Sequence, residues 1–342
     1  MRMRSVLLVA VLLLAGCSAT VKTTALRAGR VEDAARYRQL AVLPFDGNAG
    51  YGVSYQVEAA LSGVVVEGRP YFQLADRKQL SRVIDELKLG QSGLSDPGSM
   101  ARVGRIAGVR GILGGMASEQ LSESRYREER SACEEYEYRI DKDGKKRQGA
   151  CIRYRRWQAA CVKRQSNVSV IPRLVDAESA RVVYSRSIQG SKRAEGCLDT
   201  TTPAALADLT RAAWDEALEE LRKDLAPYTV ALEIELSDDE RGLPSGAAQE
   251  RFAQGVTFAR GQRLDRACEL WRGLEAHAAT APFLAYNLGV CAELDGRYEQ
   301  AERHYRQADR QMTEPDERLG RALARVRDFA NEQRKLKGQA AR

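Results

Sequence analysis

Seven cysteines and two histidines carry most of the reactive side-chain chemistry in this chain of 342 residues. Both histidines, His277 and His304, lie near the C-terminal end, so most of the chain lacks the usual general base and the commonest metal ligand. No cysteine pair has the Cys-x-x-Cys spacing of a redox or zinc site. The sequence also shows no nucleophile–base pair and no cluster of metal ligands. It therefore predicts a protein that is not an enzyme and that uses no metal or cofactor.

Cys17 stands in a context that predicts covalent lipidation. The apolar run over residues 6–15 follows two arginines and is too short to cross ~30 Å of hydrocarbon as a helix, which is typical of a signal peptide. The motif Leu14-Ala15-Gly16-Cys17 resembles a bacterial lipobox, in which the cysteine thiol accepts a diacylglyceryl group. We therefore expect residues 1–16 to be removed and the mature chain to be held by a lipid anchor. The alternative is an ordinary signal peptide with a chance cysteine.

The residue after the anchor predicts the compartment, and the overall charge indicates which class of partner is excluded. Ser18, rather than Asp, follows Cys17, and under the usual sorting rule this predicts the periplasmic face of the outer membrane. No later apolar run approaches the roughly eighteen residues of a transmembrane helix. The formal charge of +7 is spread over a chain that is 30% charged, which is too dilute to indicate a nucleic-acid partner.

An oxidising periplasm permits disulfides among the remaining six cysteines. Four of them fall in one stretch and are candidates for disulfides in any of three connectivities, with free buried thiols as the alternative: Cys133, Cys151, Cys161 and Cys197. The other two, Cys268 and Cys291, are predicted to be small buried hydrophobic residues. His277 and His304 are predicted to be solvated helix residues.

The cysteines and histidines are positioned by strands and helices, whose patterns alternate along the chain. Residues 17–36 have no periodicity and are predicted to be a polar tether, and from residue 37 to 236 the patterns predict an α/β domain. Within it, apolar strands are predicted at residues 40–45, 109–116 and 229–236, and amphipathic helices over residues 77–89 and from residue 202 onward.

Residues 61–116 carry a set of short motifs at characteristic spacing. They are Asp76-Arg77, Glu86, Ser92-Gly93, Ala107-Gly108 and Gly114-Gly115. This pattern resembles the curli-assembly (CsgG-like) lipoprotein family, and the resemblance spans about residues 37–236. It implies a CsgG-like α/β domain. The founding member of that family is a nonameric export channel whose subunits each contribute two amphipathic hairpins to a transmembrane barrel.

The insertion over residues 120–166 departs from the channel-forming members. Residues 125–143 carry five basic and seven acidic groups, and residues 144–164 carry eight basic groups and none acidic. Each Arg or Lys on a lipid-facing surface costs ~2–4 kcal/mol near the membrane midplane. A pore is therefore not expected. In this respect the chain is more similar to relatives without barrel hairpins, among them periplasmic lipoproteins that activate penicillin-binding proteins.

The insertion is predicted to form a long polar β-hairpin that turns at Asp143-Gly144 in a type I′ turn. One interpretation is that its acidic and basic arms neutralise each other through cross-strand pairs. The other is that it presents a cationic, aromatic face to an acidic partner, with these candidate contacts: Arg153, Arg155, Arg156 and Trp157.

A 34-residue period relates residues 248–281 to residues 282–315, because Gly255 recurs as Gly289 and Trp271 as Tyr305. The period resembles tandem tetratricopeptide (TPR) repeats. The resemblance implies an α-helical TPR module over residues 247–315. A polar linker over residues 237–246 is predicted before it, and a capping helix over residues 316–337 after it.

In the TPR family the inner helices line a concave groove that binds peptides. By position, the candidate contacts here are Arg260, Phe283, Tyr286 and Glu293, although core packing is an equally good interpretation of Tyr286. Together the patterns predict a non-enzymatic scaffold or adaptor of cell-envelope assembly, anchored in the outer membrane, that binds a protein partner through its TPR module. A subunit of a CsgG-type secretion channel is the alternative, and homo-oligomer formation is compatible with both.

Overall fold

The computed structural model of the protein describes residues 20–90 and 94–340. The predicted lipidation site Cys17 and the Ser92-Gly93 motif lie outside the described residues. The fold is mixed α/β with a C-terminal helical region, so the predicted fold class is confirmed at that level. The described chain forms two compact units: Gly29–Tyr228 is the first, and the second combines residues 20–28 with residues 229–340.

The strands and helices of the described residues are numbered in chain order. The strands are β1 (Thr20–Arg27), β2 (Gln39–Val42), β3 (Val65–Val66), β4 (Arg69–Pro70), β5 (Gln73–Leu74), β6 (Gly111–Ile140), β7 (Lys146–Asp176), β8 (Val182–Ser185), β9 (Ile188–Cys197) and β10 (Tyr228–Glu235). The α-helices are α1 (Gly50–Ser62), α2 (Arg77–Glu86), α3 (Pro97–Ala107), α4 (Leu206–Leu225), α5 (Ala247–Arg260), α6 (Leu264–Arg272), α7 (Pro282–Leu294), α8 (Tyr298–Asp309) and α9 (Glu317–Ala340).

The first unit is built on a six-stranded mixed sheet. Strand β2 lies between β5 and β6 and runs parallel to both, with Leu40 opposite Leu74 on one side and Gly111 on the other. Strand β6 pairs antiparallel with β7, and β7 pairs in turn with β8 and β9 along different parts of its length. The apolar run Leu40-Ala41-Val42 is buried, as expected for a central strand covered on both faces.

Helices cover both faces of this sheet. One core joins α1 and α4 to the sheet around Val57, Leu113 and Trp214, and a second joins α2 and α3 around Met100 and Ile112. Helix α2 begins at Arg77, where the sequence predicts. The starts of α2 and α3 are both capped, because the carboxylates of Asp76 and Asp96 accept hydrogen bonds from the backbone N–H groups of Gln79 and Ser99.

The second unit corrects two sequence-based expectations. Residues 20–27, predicted to belong to a polar tether, form strand β1, and β1 pairs with β10 in a separate two-stranded sheet. The strand predicted to close the α/β domain is therefore part of the helical unit. Val21 and Ile234 are buried in the same core as α5, α6 and α7. A two-stranded sheet needs such an apolar surface to be stable in water.

The helices of the second unit pack with the predicted 34-residue period. Gly255 lies against Trp271 and Gly289 lies against Tyr305, so closely that a Cβ atom on either glycine would collide with the ring. Phe252 and Trp271 have ring centroids 6.0 Å apart, and the equivalent pair Tyr286 and Tyr305 is 5.5 Å apart. The glycines therefore set the close approach of consecutive helices, and α9 follows the repeats where a capping helix was expected.

Two further details of this unit differ from the sequence analysis. Cys268 and Cys291 are buried as predicted, but they form a disulfide that joins α6 to α7. The predicted linker over residues 237–246 is attached to the helices, because the amide and carbonyl of buried Ser237 both bond the side chain of Asn287, at 3.0 and 2.8 Å. Among the described residues, no helix is long and apolar enough to span a membrane.

Candidate functional site

The most distinctive surface of the first unit is the far part of the β6–β7 hairpin. Strand β9 pairs with β7 only as far as Cys161, which lies opposite Cys197 on β9 and Tyr126 on β6. Beyond this point the hairpin continues as two strands alone over residues 127–160, which we call the ribbon. At ~3.3 Å per residue, it extends about 45 Å past the last pairing with β9.

The ribbon has no hydrophobic core of its own. It lies wholly within the described residues, and Ala159 is the one side chain in it that is buried. Its large apolar side chains are mostly in solvent: Tyr138, Ile140, Ile152 and Tyr154 are between 54% and 77% exposed. A two-stranded hairpin without a core is marginally stable at best. The order of the ribbon must therefore come from cross-strand contacts and covalent links.

Two disulfides supply those links, which confirms the expectation of disulfides among the four clustered cysteines. Cys133–Cys151 joins the two strands in the distal half of the ribbon, where their register shifts. Cys161–Cys197 fastens β7 to β9 at the base. Each bridge that closes a loop of this size contributes ~2–4 kcal/mol, mainly by restricting the unfolded chain.

Asp141 organises the turn at the tip of the ribbon. Its carboxylate accepts hydrogen bonds from the Arg147 side chain at 2.8 Å and from the backbone N–H groups of Lys145 and Asp143 at 2.8 and 3.1 Å. These bonds, led by that of Arg147, lower the pKa of Asp141. Gly144 has a positive φ of 74° and Asp143 does not, so the predicted type I′ turn at Asp143-Gly144 is wrong.

The four predicted contact residues of the ribbon have different environments. Arg153 lies 3.6 Å from both Glu134 and Glu135 on the opposite strand, as the charge-neutralising interpretation predicts. The indole N–H of half-buried Trp157 donates to Asp199 at 2.8 Å, which holds the ring in place. The Arg155 guanidinium lies 5.8 Å from the centre of the Trp157 ring. The Arg156 side chain is exposed and forms no ion pair or hydrogen bond with any described residue.

The predicted contact residues of the helical repeats are mostly inaccessible. Phe283, Tyr286 and Glu293 are each 5% exposed or less. The Tyr286 hydroxyl donates to the carbonyl of Glu235 on β10 at 2.8 Å, and burial raises the pKa of Tyr286 to about 12. Arg260 remains exposed and pairs with Asp238 at 2.9 Å.

Glu293 belongs to a buried polar cluster rather than to a groove. Its carboxylate accepts a hydrogen bond from the Tyr305 hydroxyl at 2.7 Å and two from the Arg325 guanidinium at 2.6 and 2.9 Å. Burial, together with the nearby charge of Glu293, raises the pKa of Tyr305 well above its usual value. The cluster therefore ties α7 to α8 and α9.

The expected open groove is filled by the chain itself. Val21 of β1 and Ile234 of β10 share one core with Phe252 and Val256 of α5 and with Tyr286 of α7. The inner helix faces that would bind a peptide are thus covered by the β1–β10 sheet. Sequence reasoning missed this because the covering strand comes from residues 20–27, far from the repeats in the chain.

Two other concave surfaces lie in the first unit, and no sequence motif pointed to either. A groove of about 1000 Å³ runs between α1 and α4, where the Trp214 indole N–H donates to Glu119 at 3.3 Å. A polar pocket of about 440 Å³ contains Tyr37, whose hydroxyl donates to Asp176 at 2.8 Å. Both are lined by residues of mixed charge.

Comparison of the chain with protein-family models, with curated proteins and with solved structures found no match. The functional argument therefore depends on the chain's own residues.

Proposed function

We propose that this protein is a non-enzymatic adaptor of the cell envelope, held at the periplasmic face of the outer membrane by a lipid on Cys17. In this proposal the ribbon is the surface that docks a protein partner. The single observation that carries it is a projecting, covalently cross-linked ribbon that buries almost nothing of its own and exposes aromatic and arginine side chains. Such side chains are enriched at protein–protein interfaces.

The two disulfides order the ribbon and, for the same reason, favour its binding to a partner. A flexible arm loses conformational entropy when it binds, and this loss weakens the complex. A ribbon that is already fixed by Cys133–Cys151 and Cys161–Cys197 loses less. Tyr154, at 62% exposed, and the unpaired Arg156 are the side chains best placed to enter a partner's surface.

The family resemblances support this proposal at the level of architecture. A sheet covered by helices on both faces, with the helix cap at Asp76, is compatible with a CsgG-like domain. The repeated packing of Gly255 on Trp271 and Gly289 on Tyr305 supports a TPR-like module. We assign that module a structural role, because its inner faces hold β1, which begins three residues after Cys17.

A second candidate function is a subunit of a CsgG-type oligomer. The ribbon has two open strand edges of different net charge: residues 125–143 carry seven acidic and five basic groups, whereas residues 144–164 carry eight basic groups and none acidic. The β6 edge of one copy could therefore pair with the β7 edge of the next. Sedimentation velocity of the purified chain separates the two functions, because a stable ring supports the oligomer and a monomer supports the adaptor.

The adaptor proposal is tested by shortening the ribbon. Residues 127–160 are replaced by Asn-Gly, which joins Tyr126 to Cys161 and keeps the Cys161–Cys197 bridge. Proteins captured from envelope extracts by this variant are compared with those captured by the wild type. We expect the partner to be lost from the shortened variant and retained by Arg260→Glu, which alters the exposed residue of the predicted groove. Loss with Arg260→Glu alone would place docking on the repeats.

A further inference from the structure

The outer edge of β7 within the ribbon presents unpaired backbone groups. The backbone N–H of Leu198 donates to the carbonyl of Ala160 at 2.9 Å, on the side of β7 that faces away from β6. The amide and carbonyl groups of successive strand residues point to alternate sides. Those of Gln158, Arg156 and Tyr154 therefore turn outward as well, and among the described residues no strand other than β6 pairs with β7 over residues 146–160.

This edge is basic on both faces of the ribbon. Arg155 and Arg156 are adjacent, so their side chains leave the strand on opposite faces. Neither has an ion-pair partner among the described residues, and residues 144–164 contain no acidic side chain. A strand added along the edge would thus meet a cation above and a cation below.

The opposite edge of the ribbon, on β6, carries both charges with an excess of acidic groups. Residues 125–143 of the β6 arm contain seven acidic and five basic groups, and Glu134, Glu135 and Glu137 are between 43% and 53% exposed in the distal half. An acidic segment would therefore be attracted along β7, where no acidic group opposes it, and would meet a mixture of both charges along β6. The ribbon therefore distinguishes its two edges by charge.

We propose that the outer edge of β7, from Tyr154 to Gln158, binds an extended acidic segment of the partner protein, which adds to the ribbon as a third strand. This inference rests on the proposed adaptor function and specifies its contact. Backbone hydrogen bonds to the outward groups supply affinity, and carboxylates facing Arg155 and Arg156 supply specificity.

The competing explanation is that these charges only protect an open edge against aggregation. A purely protective edge binds no peptide. The two explanations therefore differ in a simple measurement of peptide binding to the full chain.

Two matched pairs of variants separate strand addition from charge attraction. Gln158→Pro removes an outward N–H without changing charge or the pairing with β6, and Gln158→Ala is its control. The double variant Arg155→Glu/Arg156→Glu reverses the charge of the β7 edge, and Arg125→Glu/Arg127→Glu makes the same change on β6. Mapping of the Cys133–Cys151 bridge in each variant verifies that the ribbon is still formed.

The probe is a fluorescein-labelled synthetic peptide in which Glu alternates with Val and Thr, and its counterpart carries Lys in place of each Glu. We expect the acidic peptide alone to bind the wild type. Binding should weaken about tenfold or more in Gln158→Pro and in Arg155→Glu/Arg156→Glu, and stay unchanged in both controls, as measured by fluorescence anisotropy.

Four results would overturn the proposal. Equal binding by Gln158→Pro and Gln158→Ala would show charge attraction without strand addition. No binding of the acidic peptide to the wild type would leave the edge merely protected. Self-association that Gln158→Pro abolishes would show that a second copy covers the edge. If shortening the ribbon removes the captured partner but Gln158→Pro does not, the adaptor function stands and the strand addition fails.

Discussion

At the scale of single residues, the buried cluster around Glu293 predicts a large cost for removing one carboxylate. In Glu293→Ala, the Arg325 guanidinium stays largely buried without a counter-charge, and the Tyr305 hydroxyl loses its acceptor. We expect the free energy of unfolding to fall by about 3–5 kcal/mol in denaturant titrations. Glu302→Ala is the matched control, because Glu302 is more exposed and its partners Arg306 and Arg327 remain hydrated, so it should cost less than ~1 kcal/mol. Equal losses of unfolding free energy in the two variants would show that the buried cluster contributes no more to stability than an exposed ion pair.

The burial of His304 leads us to expect that the stability of the second unit depends on pH. Contrary to the sequence-based expectation of a solvated side chain, His304 is 9% exposed. Burial lowers its pKa below 6.5, and the Glu275 carboxylate, 3.8 Å away, opposes this shift, whereas Arg303 and Arg297 add to it. Above about pH 6.5 the neutral ring is compatible with burial. As the pH falls through this value the unfolded chain takes up the proton first, so stability decreases.

We therefore expect the melting temperature of the wild type to fall between about pH 7.5 and 5.5 more than that of His304→Gln. Carboxylates with lowered pKa values, such as Asp316, titrate below this window and should not obscure it. A parallel decline in the two proteins would contradict the assignment.

At the scale of elements, the ribbon is expected to depend on its distal disulfide. Cys133→Ser/Cys151→Ser removes the one covalent link among residues 127–160, where almost no side chain is buried. We expect backbone amides of the distal ribbon to exchange much faster in hydrogen-exchange mass spectrometry. Amides of β2 and α4 should be unaffected, because their cores do not include the ribbon. Unchanged protection in the ribbon would show that cross-strand ion pairs suffice.

Comparison of the elements with the sequence analysis shows which parts of the fold can be predicted from local sequence. Local patterns located α2 through its amphipathic periodicity and the helical repeats through their 34-residue period, and the polar hairpin was recognisable from its charged arms. Strand β1 was missed because its apolar alternation is weak and becomes meaningful only against β10 and the helices, two hundred residues away. The Cys268–Cys291 bridge was missed for a similar reason, since the two cysteines meet only when α6 packs on α7.

The candidate site was anticipated only in part. The basic arm of the hairpin was identified from composition, but which arginines remain unpaired depends on register: Arg153 meets Glu134 and Glu135, whereas Arg156 meets no acidic group. The groove contacts Phe283, Tyr286 and Glu293 could be placed on the correct helix, but their burial could not be predicted. Tyr286 is covered by the β1–β10 sheet and Glu293 by Tyr305 and Arg325, and no local pattern indicates either contact.

At the scale of the whole molecule, the division into two units predicts how fragments behave. Residues 29–228, expressed alone, should fold cooperatively, because their two main cores are internal to that range. Residues 229–342 alone should bind an apolar-surface dye, since Val21 is missing from their core. A synthetic peptide spanning residues 20–28 should suppress this dye binding. If the fragment 229–342 melts cooperatively and the peptide does not change its dye binding, then β1 is not needed for the helices to fold.

Site-specific photocrosslinking in living cells tests the central claim, that the ribbon docks the partner, most directly. A photoreactive amino acid is placed at Tyr154, which is exposed on the ribbon, and separately at Arg260, which is exposed on the repeats. The adaptor proposal predicts a discrete adduct with one envelope protein from position 154 and none from position 260. An adduct from position 260 with no adduct from position 154 would contradict it.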